Sequence, residues 1–171
     1  MKKILLSLIL VVSILSLSSC NRDKVYEQRH NFDSYSWERL TDNKTITFSD
    51  IDIQDTTSVY DIYITVRHTP YINEKEIKLL MKIITPDGVI RQSSRSNTIK
   101  LKDRYGKEWV GDAMGDLIDV EEKCRSLVEF PVKGKYTITL TNMGKYPQIT
   151  GIMDIGIKVV KSDLDDYKNA K

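Results

Sequence analysis

Apolar and polar residues alternate along three segments of this chain, residues 60–67, 136–141 and 153–159. A repeat of two places successive side chains on opposite faces of an extended strand, whereas a helix repeats every 3.6 residues. Beyond residue 20 the sequence contains no long helical pattern and no alternation of strands with helices. We therefore predict an all-β domain, closed as an antiparallel β-sandwich of the Ig-like or the jelly-roll type. The residues predicted to share its core are Tyr60, Ile62, Ile64, Val66, Tyr136, Ile138, Leu140, Ile155 and Ile157.

A fourth strand is predicted in residues 45–53, with an irregularity near its middle. The apolar positions change phase after Phe48 and resume at Ile51. A shift of one residue would turn every later side chain to the other face of the sheet. We therefore predict a β-bulge near Ser49-Asp50, because one extra residue restores the inward phase.

Two further segments have a less regular pattern. Residues 77–84 carry apolar side chains in both phases, and their length and β-branched content predict a mostly buried strand. The sequence TPDG at residues 85–88 predicts a tight turn into the next strand. Residues 115–124 have helical spacing of apolar side chains, but are equally consistent with a loop that leads into a strand at residues 126–130.

The N-terminal residues are predicted to be a cleaved export signal. Lys2 and Lys3 precede an uncharged apolar run at residues 4–17, which is shorter than the about 20 residues of a membrane-spanning helix. The sequence LSSC that ends at Cys20 resembles the bacterial lipobox, in which the cysteine sulfur receives a diacylglyceryl group. Several acyl chains, such as palmitate, on one residue would anchor the mature protein far more firmly than a single myristoyl chain.

The chain is predicted to divide into four parts. These are the signal peptide at residues 1–19, a partly docked N-terminal segment at residues 20–42, the β-sandwich at residues 43–161 and a flexible tail at residues 162–171. Loss of the signal removes two of 26 basic residues and leaves them equal in number to the 24 acidic ones. This neutral balance gives no electrostatic reason to expect nucleic acid as a partner.

The reactive residue types show no pattern that predicts catalysis. With Cys20 acylated, Cys124 is the only remaining thiol and is predicted to be a small buried residue. His30 and His68 lack the spacing of metal ligands and are predicted to be surface or turn residues. No serine lies in a nucleophile elbow. We therefore predict a protein that is not an enzyme and has no cofactor.

Two groups of side chains are weaker candidates for binding. Asp50, Asp52 and Asp55 cluster beside the predicted bulge, where carboxylates can bind calcium, although solvated carboxylates are the expectation. Trp37 and Trp109 fall in or near predicted loops, where flat rings can stack on sugars or anchor a protein partner. The alternative, slightly favoured, is that both tryptophans close the open ends of the core.

The succession of short segments along the chain resembles the GldH family of gliding-motility lipoproteins. The Asp-Thr-Thr-Ser-x-Tyr strand entry at residues 55–60 and the Trp-x-Gly loop at residues 109–111 are its most telling parts. The matching stretches after Cys20 are Val25-Tyr26-Glu27, Phe32, Trp37, residues 55–69 (DTTSVYDIYITVRHT), 85–88 (TPDG), 107–111 (KEWVG), Gly115-Asp116, 130–136 (FPVKGKY) and 149–157 (ITGIMDIGI).

This resemblance implies a lipid-anchored, non-catalytic component of the gliding-motility machinery and its associated protein secretion. Its partners would be the membrane, through the lipid, and other envelope proteins. It would lie on the cell membrane or the outer membrane, facing the periplasm or the surface, and only Cys20 carries over as a site. The alternative from the residues themselves is a surface glycan-binding β-sandwich lipoprotein.

Overall fold

The computed structural model describes residues 23–162, except for the side chains of residues 91–95. The predicted signal peptide, Cys20 and the tail from residue 163 lie outside the described residues. Within residues 23–162 no helix is long and apolar enough to cross a membrane. The described residues form one short 3-10 helix, Asp42–Lys44, and the strands β1 (Lys24–Asn31), β2 (Ser36–Glu38), β3 (Thr45–Ile53), β4 (Val59–His68), β5 (Glu76–Ile84), β6 (Ile90–Lys100), β7 (Asp112–Met114), β8 (Leu117–Glu129), β9 (Gly134–Asn142), β10 (Gln148–Thr150) and β11 (Ile152–Lys161).

The strands form two large antiparallel sheets. One sheet has the order β1-β11-β4-β8-β7 and the other has the order β3-β9-β5-β6, while β2 and β10 pair separately. When the three-residue strands β2, β7 and β10 are set aside, four strands remain in each sheet, in the order of a jelly roll. The predicted antiparallel β-sandwich is confirmed, and the strand order identifies the jelly roll among the two types.

The inner faces of the two sheets build one hydrophobic core. All nine residues predicted for the core are buried there, and they come from β4, β9 and β11. Strand β5 supplies alternate residues from Ile77 to Ile83, so the predicted strand at residues 77–84 is confirmed. The turn at residues 85–88 is confirmed as well, because the Gly88 N–H donates to the Thr85 carbonyl at 2.9 Å.

The predicted bulge lies in β3, on its pairing with β9. Phe48 is opposite Ile138, but Ile51 is opposite Tyr136, so β3 contains one more residue than its partner across this step. Asp50 takes up the extra residue with a φ of 61°, in the left-handed region. The apolar side chains on both sides of the bulge are buried, which is the outcome expected of a one-residue insertion.

The helical alternative for residues 115–124 is wrong, because β8 runs without interruption through Leu117–Glu129. Its pairing with β4 includes two steps at which β8 carries an extra residue, on either side of the pair Ile62–Arg125. Each extra residue shifts the inward phase by one position, and this hides the period of two in the sequence.

The first described residues are part of the sandwich. Lys24–Asn31 form β1, which pairs with β11 at the edge of the five-stranded sheet. Phe32 and Trp37 follow and are buried in the core. The β-sandwich therefore includes residues that the sequence pattern assigned to a partly docked segment at 20–42.

Candidate functional site

The two ends of the sandwich differ in the connections that they carry. One end, here called the loop end, carries residues 32–44, 69–75, 101–116 and 143–151. The other end, here called the terminal end, carries Asp23, Ser162 and, among residues 23–162, the short turns at residues 54–58, 85–89 and 130–133. The register places these together, because Lys24 pairs with Val160, near the end of β11, and Lys161 pairs with Tyr60, near the start of β4.

The loop end holds most of the large apolar side chains that remain exposed among the described residues. Tyr71 is the extreme case, with 89% of its surface accessible. Tyrosine is enriched among the residues that contribute most to binding at protein interfaces, and the flexible methionine side chain adapts to varied partner surfaces. The exposed apolar residues at this end are Tyr35, Leu40, Tyr71, Tyr105, Val110, Met114, Met143 and Tyr146.

Trp37 lies in the core and not on the surface. Its ring is 1% exposed and packs at 5.6 Å from the ring of Phe32. Its indole N–H donates to the carbonyl of Asn43 at 3.2 Å, and the Asn142 side chain donates to the Trp37 carbonyl at 3.1 Å. Trp37 therefore packs into the open end of the core and holds β2 and the loop at residues 32–44 on the sandwich.

Trp109 is half-buried at the loop end, where its ring contacts Lys102 and His68. The Lys102 Nζ atom lies 3.3 Å from the centre of the indole ring, within the range of a cation–π contact. The imidazole of His68 contacts the same indole at 5.0 Å between ring centres. The ring of Trp109 is thus in contact with two side chains of this chain and is not fully exposed to solvent.

His68 corrects the sequence-based expectation of a surface or turn residue, because its side chain is completely buried. Its Nδ1–H donates to the Thr69 carbonyl at 2.9 Å, whereas Nε2 has no hydrogen-bond partner among the described residues. Burial lowers the pKa of His68, and the nearby charge of Lys102 acts in the same direction. The imidazole is therefore neutral in the folded protein at neutral pH.

The stability of the domain is expected to decrease as the pH falls below about 6.5, the ordinary pKa of histidine. Below this pH the unfolded chain binds a proton on His68, whereas the folded chain keeps the imidazole neutral. His68 therefore adds to the slope of the unfolding free energy against pH, by at most about 1.4 kcal/mol per pH unit. Urea unfolding at several pH values would measure this slope. His68→Gln should reduce it, whereas the matched variant His30→Gln, at an exposed position of β1, should keep it. An unchanged slope in His68→Gln would contradict the prediction.

The three candidate calcium ligands have separate partners within the protein. Asp50 forms an ion pair with Lys135 at 2.8 Å, which lowers the pKa of its carboxyl. Asp55 accepts hydrogen bonds from Lys161 and from the hydroxyls of two neighbouring residues, and these hold its pKa well below the usual range. Asp52 accepts from the side chain of Gln54. Within residues 23–162 no group of three or more His, Cys, Asp or Glu side chains is arranged to hold a metal ion.

The remaining thiol is not suited to act as a nucleophile. Cys124 is partly buried in β8 and packs against the core. Burial raises the pKa of its thiol to about 12, so the reactive thiolate is scarce at neutral pH.

The outer face of the five-stranded sheet carries ion pairs that sequence analysis did not identify. Arg67 binds the Asp119 carboxylate with two hydrogen bonds of 2.8 Å, and Arg29 reaches Asp154 at 2.7 Å. Asp61 is buried beside Lys123, at 2.6 Å. The alternation within β4 predicts that Asp61 and Arg67 lie on the same face of the sheet. Their partners on other strands, however, depend on the order of the strands in the sheet.

Two open clefts lie at the loop end. One, of about 530 Å³, is lined mainly by polar residues from His30 to Thr47. The other, of about 450 Å³, lies between the loops at residues 73–76 and 144–146. It contains Glu74, whose pKa is raised by burial and by the neighbouring carboxylate of Glu76.

Comparison with known proteins identifies the family. The sequence pattern of the GldH lipoprotein family matches residues 24–159, which is most of the chain and nearly all of the described sandwich. The chain belongs to the GldH lipoprotein family. The GldH match begins at the first residue of β1 and ends within β11, so it covers β1 to β10 and all but the last two residues of β11.

Two curated relatives agree with the GldH assignment. The chain is 24% identical over 162 residues to a gliding motility lipoprotein GldH homolog of Christiangramia forsetii, covering 91% of this chain and 94% of that protein. It is also 24% identical over 164 residues to the gliding motility lipoprotein GldH of Flavobacterium johnsoniae, covering 91% and 96%. Among solved structures, a carbohydrate-binding module specific for non-crystalline cellulose has 9% identity and a TM-score of 0.42, covering 79% of this chain and 72% of that one.

The GldH stretches recognised in the sequence lie at both ends of the sandwich. Residues 55–69 include a turn of the terminal end and the whole of β4, whereas residues 130–136 form another turn of that end and the start of β9. Residues 107–111 belong to the loop that carries Trp109, and residues 149–157 form most of β10 and the first part of β11. The stretches that resemble the family therefore lie in the main strands, in turns of the terminal end and in a loop of the loop end.

Proposed function

We propose that the protein is a lipid-anchored, non-catalytic component of the gliding-motility machinery and its associated protein secretion, and that it acts by docking on other envelope proteins. The observation that carries the proposal is the GldH match over residues 24–159. The exposed tyrosines and methionines of the loop end are the surface that suits such docking. The burial of His68 away from solvent and the protonated thiol of Cys124 support a role without acid–base or nucleophilic chemistry.

The anchor of this proposal is the acylated Cys20, at the mature N-terminus. The protein would associate with the cell membrane or the outer membrane and place its sandwich in the periplasm or at the cell surface. The family name supports a lipoprotein, and the small residues before Cys20 support cleavage at this position.

Cys20→Ala is expected to abolish membrane anchoring, because the variant lacks the thiol that receives the lipid. The variant should be either unprocessed or released, and it should no longer incorporate labelled palmitate. Fractionation of the envelope with mass measurement of the mature protein would test this. Cys124→Ala is the matched control and should remain in the membrane fraction with lipid attached. Membrane association of Cys20→Ala equal to that of the wild type would refute the anchor.

Docking is tested by crosslinking the lipidated protein in its own envelope and identifying what is recovered. We expect envelope proteins of the motility or secretion apparatus, together with loss of motility or secretion when the gene is deleted. Cys20→Ala protein serves as the control for proteins captured after lysis. Recovery of no envelope partner, alongside specific retention on a glycan array, would overturn docking in favour of glycan binding.

The glycan-binding alternative requires an exposed aromatic platform. Trp37 is buried, and the half-buried ring of Trp109 is in contact with Lys102 and His68, so neither tryptophan is a freely exposed ring. The structure thus favours docking over stacking on sugars at these two residues.

A further inference from the structure

We propose that the terminal end of the sandwich rests on the lipid bilayer and contacts it through Val89 and Val132, so that the loop end points away from the membrane. This inference rests on the proposed acylation of Cys20 and adds the orientation of the domain to it. It assigns a lipid surface to one end of the molecule and leaves the opposite end for protein partners.

The length of chain between the lipid and the sandwich is very short. Only Asn21 and Arg22 separate Cys20 from Asp23, so three peptide units join the acylated residue to the described part. Three units span at most about 11 Å when fully extended. The lipid is embedded in the bilayer, and therefore Asp23 must stay close to the headgroups.

Asp23 cannot extend this tether, because it is already tied to the sandwich. Its carbonyl accepts the N–H of Lys161 at 2.7 Å, and the next residue, Lys24, pairs with Val160. The start of β1 therefore lies beside the end of β11, at the terminal end. Neighbouring strands are about 4.8 Å apart, so the short turns of this end lie within a few strand widths of Asp23.

The terminal end carries exposed apolar side chains at the tips of its turns. Val89, Ile90 and Val132 are 53%, 48% and 42% exposed. Pro86 lies against the turn of Val132, because a Cβ atom at Gly134 would come within 2.9 Å of the Pro86 ring. The two turns are thus adjacent, and each presents an exposed valine at the terminal end.

The backbone of both turns is held in place by buried or half-buried side chains. The Tyr136 hydroxyl donates to the Val132 carbonyl at 2.7 Å and accepts the Val132 N–H at 3.2 Å. The Thr85 hydroxyl accepts the Val89 N–H at 3.1 Å, and the Thr85 N–H donates to the Val89 carbonyl at 3.0 Å. The valine side chains are therefore presented outward on a fixed framework, as expected for a surface that meets lipid without refolding.

This orientation places the loop end far from the bilayer. Strand β4 joins the two ends with ten residues, Val59–His68, and at about 3.3 Å per residue it spans about 33 Å. The exposed tyrosines would thus be available to the soluble domains of other envelope proteins rather than to lipid.

The orientation can be measured with a fluorescent probe at either end of the lipidated protein. In a Cys124→Ser background, Val132→Cys and Tyr71→Cys would each be labelled with an environment-sensitive dye, since the thiol of acylated Cys20 is blocked. The proteins would be reconstituted in vesicles of phosphatidylethanolamine and phosphatidylglycerol that contain a nitroxide lipid. We expect several-fold stronger quenching at residue 132 than at residue 71. Val89→Cys serves as a second position at the terminal end and should behave as residue 132 does.

Flotation of the same vesicles separates this inference from the anchor itself. Protein that floats but shows equal quenching at both ends, or stronger quenching at residue 71, would overturn the orientation and leave the anchor intact. Protein that lacks lipid and does not float would overturn both. A probe at residue 132 that is shielded in native envelopes but not in pure lipid vesicles would mean that a protein covers this end, and would also overturn the inference.

Discussion

Trp37→Ala is expected to lower the free energy of unfolding of the domain by about 3–5 kcal/mol, the usual range for removal of a buried tryptophan. The indole is almost entirely enclosed and packs on Phe32, so alanine would leave a cavity in the core. The variant would also lose the hydrogen bond from the indole N–H to the Asn43 carbonyl. Denaturant titration followed by far-UV circular dichroism would measure the change.

The matched control for Trp37 is an exposed aromatic residue of the same end. Tyr71→Ala removes a ring that is 89% exposed, so its effect on unfolding should stay within about 0.5 kcal/mol. Trp37→Phe should lie between the two, since it keeps most of the packing and loses the N–H donor. Similar losses in Trp37→Ala and Tyr71→Ala would show that Trp37 does not hold the loop at residues 32–44 on the sandwich.

Ile64→Ala is expected to destabilise the domain by about 2–5 kcal/mol. Ile64 lies at the middle of β4, which is flanked by β11 and β8, and its side chain is 0% exposed. The surrounding strands are held by pairing on both sides and can collapse only partly into the space that the smaller side chain leaves. Urea unfolding at neutral pH would give the difference in free energy.

Ile90→Ala is the control for Ile64, because it makes the same chemical change at a residue that is 48% exposed, at the start of an edge strand. Its effect should be much smaller, since less apolar surface is removed from contact and no enclosed cavity forms. If Ile64→Ala cost no more than Ile90→Ala, the packing of the core as described would be wrong.

Local patterns in the sequence predicted the parts of the fold that depend on neighbouring residues. The alternation in β4, β9 and β11 predicted the faces of these strands, because the period of two is a property of a single extended chain. The bulge at Asp50 was predictable for the same reason, since the phase change is visible within nine residues. Strand β8 was not recognised as one strand, because its two irregular steps disrupt the pattern that identifies a strand.

Candidate site residues were predicted less well than strands, since their environment depends on distant parts of the chain. Nothing near His68 in the sequence shows that Trp109 covers it. Likewise, Asp61 in β4 has a buried partner in Lys123 only because β8 pairs with β4. The one signal available in the sequence was the presence of a charged residue such as Asp61 within an otherwise apolar strand. Such a residue needs a partner of opposite charge when it is buried.

The sequence by itself determined the all-β class, the inward faces of the main strands, the bulge in β3 and membership of the family that the resemblance indicated. Each of these is encoded by residue types over short stretches or by their succession. Only the tertiary structure decided between the Ig-like and jelly-roll arrangements, because these differ in which distant strands become neighbours, as with β1 and β11. It also decided which residues stand at each end of the sandwich. That placement follows from long-range pairing, and so the separation of the terminal end from the loop end could not be derived from local pattern.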